Sequence, residues 1–259
     1  MKIHEFYRDS ANITLNGSLA ALIPAITIAV GNLYFFQNNQ IMLLTIPFVV
    51  YSFISFQIYL YRVKQAISID RNMPQLSSSY KSIFSARHLV VVYMNQQDSS
   101  LHLFYPDGHQ AGKIERYWQK GVYLFRKPRI YVLYDSQGGP IGYYKIKKSF
   151  IIEVYDQNRR YLGCYEKEHV TWLKQKKEMV DVTGRLFGSV EGSGFFMDER
   201  VLNQSGKQVG RLRRGWMPVE WSGRFPEPNT PVLSLTENLS EKDKLLTMSF
   251  LINEYFIER

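Results

Sequence analysis

Three clusters of positive charge are the residues here whose type and spacing suit a binding chemistry. They are Arg126-Lys127-Pro128-Arg129, Lys145-Ile146-Lys147-Lys148, and Arg211-Leu212-Arg213-Arg214 followed by Trp216. Guanidinium and ammonium groups offer fixed charge and several N–H donors, which suits them to phosphate and carboxylate oxygens. If these segments are strands, alternation puts Lys145 and Lys147 on one face, and likewise Arg211 and Arg213. Trp216 beside Arg214 has the amphipathic ring of an interfacial contact. The competing reading of each cluster is the ordinary solvated face of a strand.

Catalytic chemistry has no comparable set. The five histidines (His4, His88, His102, His109, His169) are scattered and lack metal-ligand spacing. The stretch Gly188-Ser189-Val190-Glu191-Gly192-Ser193-Gly194 offers serines among glycines. It lacks the Gly-x-Ser-x-Gly spacing of a nucleophile turn, and no His–acid pair stands out to serve it. No glycine-rich stretch opens a helix with a Gly-Lys-Ser/Thr ending, so a phosphate loop is excluded. Cys164 is the single cysteine, which rules out an intrachain disulfide and a cysteine metal cluster. The expectation is a protein that is not an enzyme and has no catalytic residue, metal or cofactor.

The element that must carry any such surface is plain. Ser10 to Tyr61 is a run of 52 residues without a charged side chain, in a chain that is 21% charged. It holds two apolar cores, 19–36 and 41–61, separated by Gln37-Asn38-Asn39-Gln40. At 1.5 Å per helical residue these reach roughly 27 and 31 Å, the thickness of a bilayer's hydrocarbon layer. Backbone groups in lipid must satisfy one another, so two transmembrane helices joined by a polar hairpin are expected. The n-region carries acids and no small-residue cleavage site follows, which argues against a signal peptide. Positive charges flank the outer ends of the pair and none lies in the connector. The positive-inside rule then places both termini in the cytoplasm, at the cell membrane. Residues 1–18 are read as a cytoplasmic lead, 62–81 as a basic linker, and 82–259 as a soluble domain large enough for its own core. The formal net charge is +9, with four Lys/Arg and two acids in the first 64 residues, leaving +7 on the remainder. A basic domain tethered at an anionic leaflet accounts for that balance, and no nucleic-acid motif competes with it.

From His88 onward the texture becomes short β-branched or alternating runs. Twelve candidate strands cover 89–94, 101–105, 112–118, 129–134, 141–147, 150–155, 161–166, 185–190, 195–202, 208–213, 219–221 and 232–235. That close spacing indicates an all-β sandwich or barrel. A nine-residue repeat runs through them: Tyr134-Asp135…Ile141-Gly142, Tyr155-Asp156…Leu162-Gly163 and Leu202-Asn203…Val209-Gly210, with Phe104 to Gly112 a looser copy. Asp or Asn suits the turn backbone, and the late Gly suits a bulge or a close approach. The chain closes on a helix opened by Ser240, with apolar residues around nearly its whole circumference from Leu245 to Ile257. At about 20 Å it is too short to span a bilayer, so the interior of a closed sheet is its natural place.

A barrel of about a dozen strands, Asp/Asn-turn-apolar-Gly hairpins, and the closing Lys244-Leu245-Leu246-Thr247-Met248-Ser249-Phe250-Leu251-Ile252 together resemble the tubby C-terminal-like superfamily. That group includes tubby proteins, phospholipid scramblases and LURP-one-related proteins. The resemblance covers roughly residues 82–259 and implies a closed barrel around a central helix. An N-terminal membrane hairpin is not part of that pattern. Tubby domains bind phosphoinositide headgroups in a basic pocket, and no such position carries over residue by residue. Scramblases are linked to calcium-dependent lipid movement and a cysteine-rich acylated segment, which this sequence lacks. Joined to the apolar hairpin, the resemblance implies a membrane-anchored domain binding anionic phospholipid headgroups or another membrane-associated ligand. The candidate contacts are those of the three basic clusters read from the sequence itself, Arg126, Lys127, Arg129, Lys145, Lys147, Lys148, Arg211, Arg213, Arg214 and Trp216. A scramblase-like lipid transporter and a protein scaffold at the membrane are the alternatives.

Overall fold

The computed structural model describes residues 1–73, 82–94, 99–117, 129–148, 150–169, 175–193 and 198–258. The chain divides into two compact units, Met1–Pro74 and Gln75–Arg259. Trp118 and residues 195–197, counted above among the strands, lie outside the described residues.

The first unit is a helical hairpin. Helix α1 (Ile3–Gly31) runs on through one π turn (Asn32–Phe36). The short α2 (Asn39–Met42) and a 3-10 turn (Leu43–Thr45) lead into α3 (Ile46–Asn72). Each arm is 34 residues of continuous helix, long and apolar enough to cross a membrane. The helix starts at Ile3 and so includes most of residues 1–18; the Glu5 carboxylate accepts the Lys2 N–H at 2.8 Å at its start. At the other end α3 stops at Asn72, shortly before Pro74, whose ring disfavours a helical residue ahead of it. The connector is tighter than the four polar residues suggest. Gln37 takes a left-handed φ of 48°, and Asn38 already caps α2 by accepting the Gln40 N–H at 2.9 Å. Asn32, a polar residue in an apolar run, is buried and accepts the Asn38 N–H at 2.9 Å. The polar residues of α1 find α3: Ser18 bonds Ser52 (Oγ–Oγ 3.0 Å), Arg62 donates to Ser10, and His4 lies 3.4 Å from Asp70. Outside this seam Leu19, Ile23, Ile26, Val49, Phe53 and Ile54 are exposed. A continuous apolar surface of that extent calls for a lipid or protein partner.

The second unit is a closed antiparallel barrel of twelve strands among the described residues. They are β1 (His88–Met94), β2 (Ser100–Phe104), β3 (Gln110–Arg116), β4 (Arg129–Asp135), β5 (Pro140–Lys148) and β6 (Ile151–Asp156). Then come β7 (Tyr161–His169), β8 (Gln175–Asp181), β9 (Leu186–Ser193), β10 (Asp198–Asn203), β11 (Gln208–Arg213) and β12 (Val232–Leu235). Each pairs with its sequence neighbours, and β12 closes the ring on β1 through Leu89↔Leu233. Two strand assignments are corrected. Val219–Trp221 is a 3-10 turn, three residues being too few to alternate against a partner. Strand β8 was missed, because Gln175-Lys176-Lys177-Glu178 is polar throughout and shows no apolar alternation.

The repeat builds one end of the barrel. Asp135 Oδ1 accepts the N–H groups of Gln137 and Gly139 at 2.8 and 2.7 Å, and Asp156 and Asn203 do the same in their own turns. A further copy, Val180-Asp181…Phe187-Gly188, obeys the same geometry. The pairing register shifts at the first residue of every copy, which is the bulge the motif suggests. In three copies the late glycine then lies against the next copy's backbone. A Cβ at Gly163 would sit 2.2 Å from the Val180 carbonyl oxygen, and one at Gly188 would sit 2.3 Å from that of Leu202. A Cβ at Gly112 would likewise sit 2.5 Å from the Tyr134 carbonyl oxygen, which completes a set of three that interlock with the next copy, whereas Gly142 and Gly210 leave room for the Leu245 and Thr247 side chains.

Helix α4 (Glu241–Ile252), extended by a π turn (Asn253–Ile257), fills the interior. Ser240 caps it, its Oγ accepting the Asp243 N–H at 3.2 Å. Every residue from Lys244 to Ile252 is buried. Contacts come from all around the ring. The Tyr144 hydroxyl on β5 donates to the Leu245 carbonyl (3.2 Å), Thr247 faces Gly210 on β11, and the Tyr255 ring stacks on Tyr93 of β1 at 5.8 Å. At its far end Glu254 meets Lys177 of β8 at 2.8 Å.

Candidate functional site

The barrel also has an outer core. Leu89, Val91, Leu103, Leu212 and Leu233 point inward, so by alternation Val90, Phe104 and Val232 point outward, yet all three are buried. The long β11–β12 connection covers this face, with Phe225 packed edge-on to Phe104 at 6.4 Å. In crossing, it raises Trp216, Pro218 and Trp221 as one wall of a cleft of about 560 Å3. The floor is the outward face of β11, β12 and β1, where Arg211, Ser234 and His88 stand side by side in register. Arg87 and Arg213 line it with them, and Glu237 is the one carboxylate among the lining residues.

These cations are not equivalent. Arg211 is locked on Asp198 by two parallel bonds of 2.7 Å, which hold the Asp198 carboxyl below the usual carboxylate range. Arg213 instead lays its guanidinium over the Trp216 ring at 4.3 Å. Among the described residues no carboxylate is ion-paired with Arg213 or Arg87. The His88 Nδ1 shares a hydrogen bond with Ser234 Oγ at 2.9 Å, and its ring leans on Trp221 at 6.1 Å. Burial, and then the Arg87 charge, push the His88 pKa below the ordinary histidine value, so the ring is neutral at pH 7. The result is a partly enclosed cleft with two guanidinium groups that no described carboxylate holds, two indole walls, and the one polar hydrogen that the His88–Ser234 pair leaves over. It can accept an anion carrying apolar or planar substituents.

The three sequence clusters do not converge. Arg126 and Lys127 lie outside the described residues, and Arg129 is exposed at the start of β4. Lys145 and Lys147 share the outer face of β5, as alternation requires, but both pair with Glu153, at 3.4 and 3.0 Å. Lys148 ends β5. Strand β5 stands six strands from β11 in either direction around the ring, so the two basic faces look opposite ways. Of the third cluster, Arg211, Arg213 and Trp216 belong to the cleft, while Arg214 is exposed on the turn beyond it. Sequence reasoning missed Arg87, His88, Trp221 and Ser234. No local signal joins them, since closure of β1 on β12 sets His88 beside a residue 146 positions away.

No protein-family model and no curated protein sequence matches this chain. Among solved structures, the X-ray structure of a protein from Arabidopsis thaliana is similar over 66% of this chain and 93% of that one, at 13% identity and a TM-score of 0.41.

Proposed function

We propose that this chain is a membrane-anchored, non-enzymatic, tubby C-terminal-like protein whose barrel binds anionic phospholipid headgroups. The helical hairpin spans the cell membrane twice, with both termini in the cytoplasm. The observation that carries the reading is the β11–β12–β1 cleft, where Arg87 and Arg213 are ion-paired with no carboxylate among the described residues and stand beside Trp216 and Trp221. A phosphate or carboxylate group would meet the guanidinium donors, and the indoles suit the glycerol and interfacial layer next to it. The net positive charge favours approach to an anionic leaflet.

The test uses the full chain in phosphatidylcholine nanodiscs, titrated calorimetrically with short-chain phosphatidylserine and phosphoinositide below their micelle concentrations. Anionic lipids should bind, and rising salt should weaken them, because accessible charges are screened over about 8 Å at physiological ionic strength. Replacing both Arg87 and Arg213 by Gln should cost about a hundredfold in affinity, the worth of one or two charge-assisted hydrogen bonds. Equal affinity for short-chain phosphatidylcholine, or unchanged binding by the double variant, would sink the proposal.

A further inference from the structure

On the far side of the barrel from the cleft lies a second groove, and one backbone irregularity points to it. The five repeat turns share the same hydrogen bond: the fifth residue donates its N–H to the carbonyl of the second, at 2.9 Å in three of them and at 3.1 and 3.2 Å for Gly184 and Gly138. That fifth residue is left-handed in every copy. It is Gly108, Gly138, Gly184 and Gly206 in four turns, with φ between 72° and 90°. In the turn between β6 and β7 it is Arg159, with φ 60°. A side chain in this conformation crowds the following carbonyl, which is why glycine holds the position elsewhere. The sister turns serve as an internal control. The fold accepts glycine at this position four times, so the strain at Arg159 is not something the barrel requires. Local strain kept against such an alternative is a mark of function.

What Arg159 reaches is definite. Its guanidinium lies over the Tyr143 ring, 5.5 Å from the centroid. Together they line a groove of about 180 Å3 with Tyr117, Ile130, Lys145 and Tyr155. That is room for one ring-sized group, comparable to a cavity of about 150 Å3 that admits benzene. Among the described residues no carboxylate is ion-paired with Arg159. Glu153, on the adjoining strand β6, is already engaged by Lys147 at 3.0 Å, the Tyr155 hydroxyl at 3.0 Å and Lys145 at 3.4 Å. The groove therefore presents phenol faces, an aliphatic floor, and two cations of which Arg159 is uncommitted. A cationic ligand would be repelled, and an uncharged apolar one would leave the guanidinium idle.

We propose that the Tyr117–Tyr143–Tyr155 groove is a second binding site, specific for a small single-ring anion such as an aryl carboxylate or aryl phosphate. The ring stacks among the tyrosines and the acid group pairs with Arg159, supported by Lys145. The site is independent of the headgroup cleft and does not rest on that reading.

The experiment titrates the full chain in nanodiscs with benzoate and phenyl phosphate, against benzyl alcohol (ring without charge) and inorganic phosphate (charge without ring). The two ring anions should bind at least about tenfold more tightly than either control. Arg159→Gly should lose this binding by about tenfold or more while its thermal midpoint stays the same or rises, since glycine relieves the left-handed strain. Arg87→Gln/Arg213→Gln should leave it unchanged, which separates failure here from failure at the cleft. Phenyl phosphate binding no better than inorganic phosphate would overturn the proposal. So would an Arg159→Gly protein that binds like wild type or melts lower.

Discussion

Lys177→Met should destabilise the barrel strongly at neutral pH and much less in acid. Lys177 is 12% exposed on β8, with Glu254 at 2.8 Å, Glu199 at 3.3 Å and Glu258 at 3.8 Å. Glu199 comes from β10, Glu254 from the π turn after α4 and Glu258 from the residue that ends it, so this ammonium ties the end of the central helix to the wall. Burial alone would drive it toward its neutral form, but the three carboxylates outweigh that and raise its pKa. The acids exceed the cation, and burial, aided by Glu254, holds Glu199 above the usual carboxylate range despite Lys177. Methionine keeps the volume and removes the charge. Breaking a buried ion pair from one side costs about 3–5 kcal/mol, because the partner charge is left uncompensated. Lys167, bonded to Glu258, remains and favours the lower end of that range. The pH dependence has a definite sign. A carboxylate whose folded pKa exceeds its unfolded value binds a proton more readily in the folded state, so stability rises as pH falls through the folded pKa. Without Lys177 the Glu199 pKa moves further up, and the deficit should shrink by up to about 1.4 kcal/mol per pH unit across that titration. The assay is denaturant unfolding of the full chain in micelles at pH 7.5 and 5.5, followed by tryptophan fluorescence. All four tryptophans (Trp118, Trp172, Trp216, Trp221) lie in the second unit, so the signal reports the barrel. A variant as stable as wild type at pH 7.5, or equally deficient at both pH values, would refute this reasoning.

The same fluorescence assay should show Phe250→Ala, a fully buried ring of α4, losing about 3–5 kcal/mol. Gly188→Ala should cost about 1–3 kcal/mol, the range for overpacking, because its Cβ would lie 2.3 Å from the Leu202 carbonyl oxygen. In a Cys164→Ser background, a cysteine at Asn39 should react with impermeant maleimide from outside intact cells, and one at Lys242 only after permeabilisation; the reverse pattern would invert the proposed topology. Anionic lipid binding at the cleft should tighten as pH falls, because a bound anion favours protonation of His88, whose pKa burial and Arg87 depress. A calorimetric pH series reads this, and affinity that weakens in acid would remove His88 from the site.

How much of this was legible beforehand divides by the range of the physics. The apolar helices, the barrel and the central helix are written in composition and short-period patterns, because burial and backbone hydrogen bonding act on residues a few positions apart. A run without charge from Ser10 to Tyr61 has few places to go, and neither has a thirteen-residue helix apolar on nearly every side. The Asp-turn-Gly repeat was likewise visible, although its copy at Val180–Gly188 escaped notice behind the polar strand β8. The candidate site was legible only in part. Basic clusters can be counted from sequence, but whether a charge is free depends on what folding sets opposite it. Arg211 is neutralised by Asp198 through strand pairing, and Lys145 and Lys147 by Glu153, while Arg213 is left to Trp216. Arg87 and His88 join Ser234 and Trp221 because the first strand meets the last, a contact that depends on ring closure and not on spacing. The sequence by itself determined the elements and the charge available to them; the tertiary structure decided which charges pair, because an ion pair needs proximity within about 4 Å that only the closed barrel supplies.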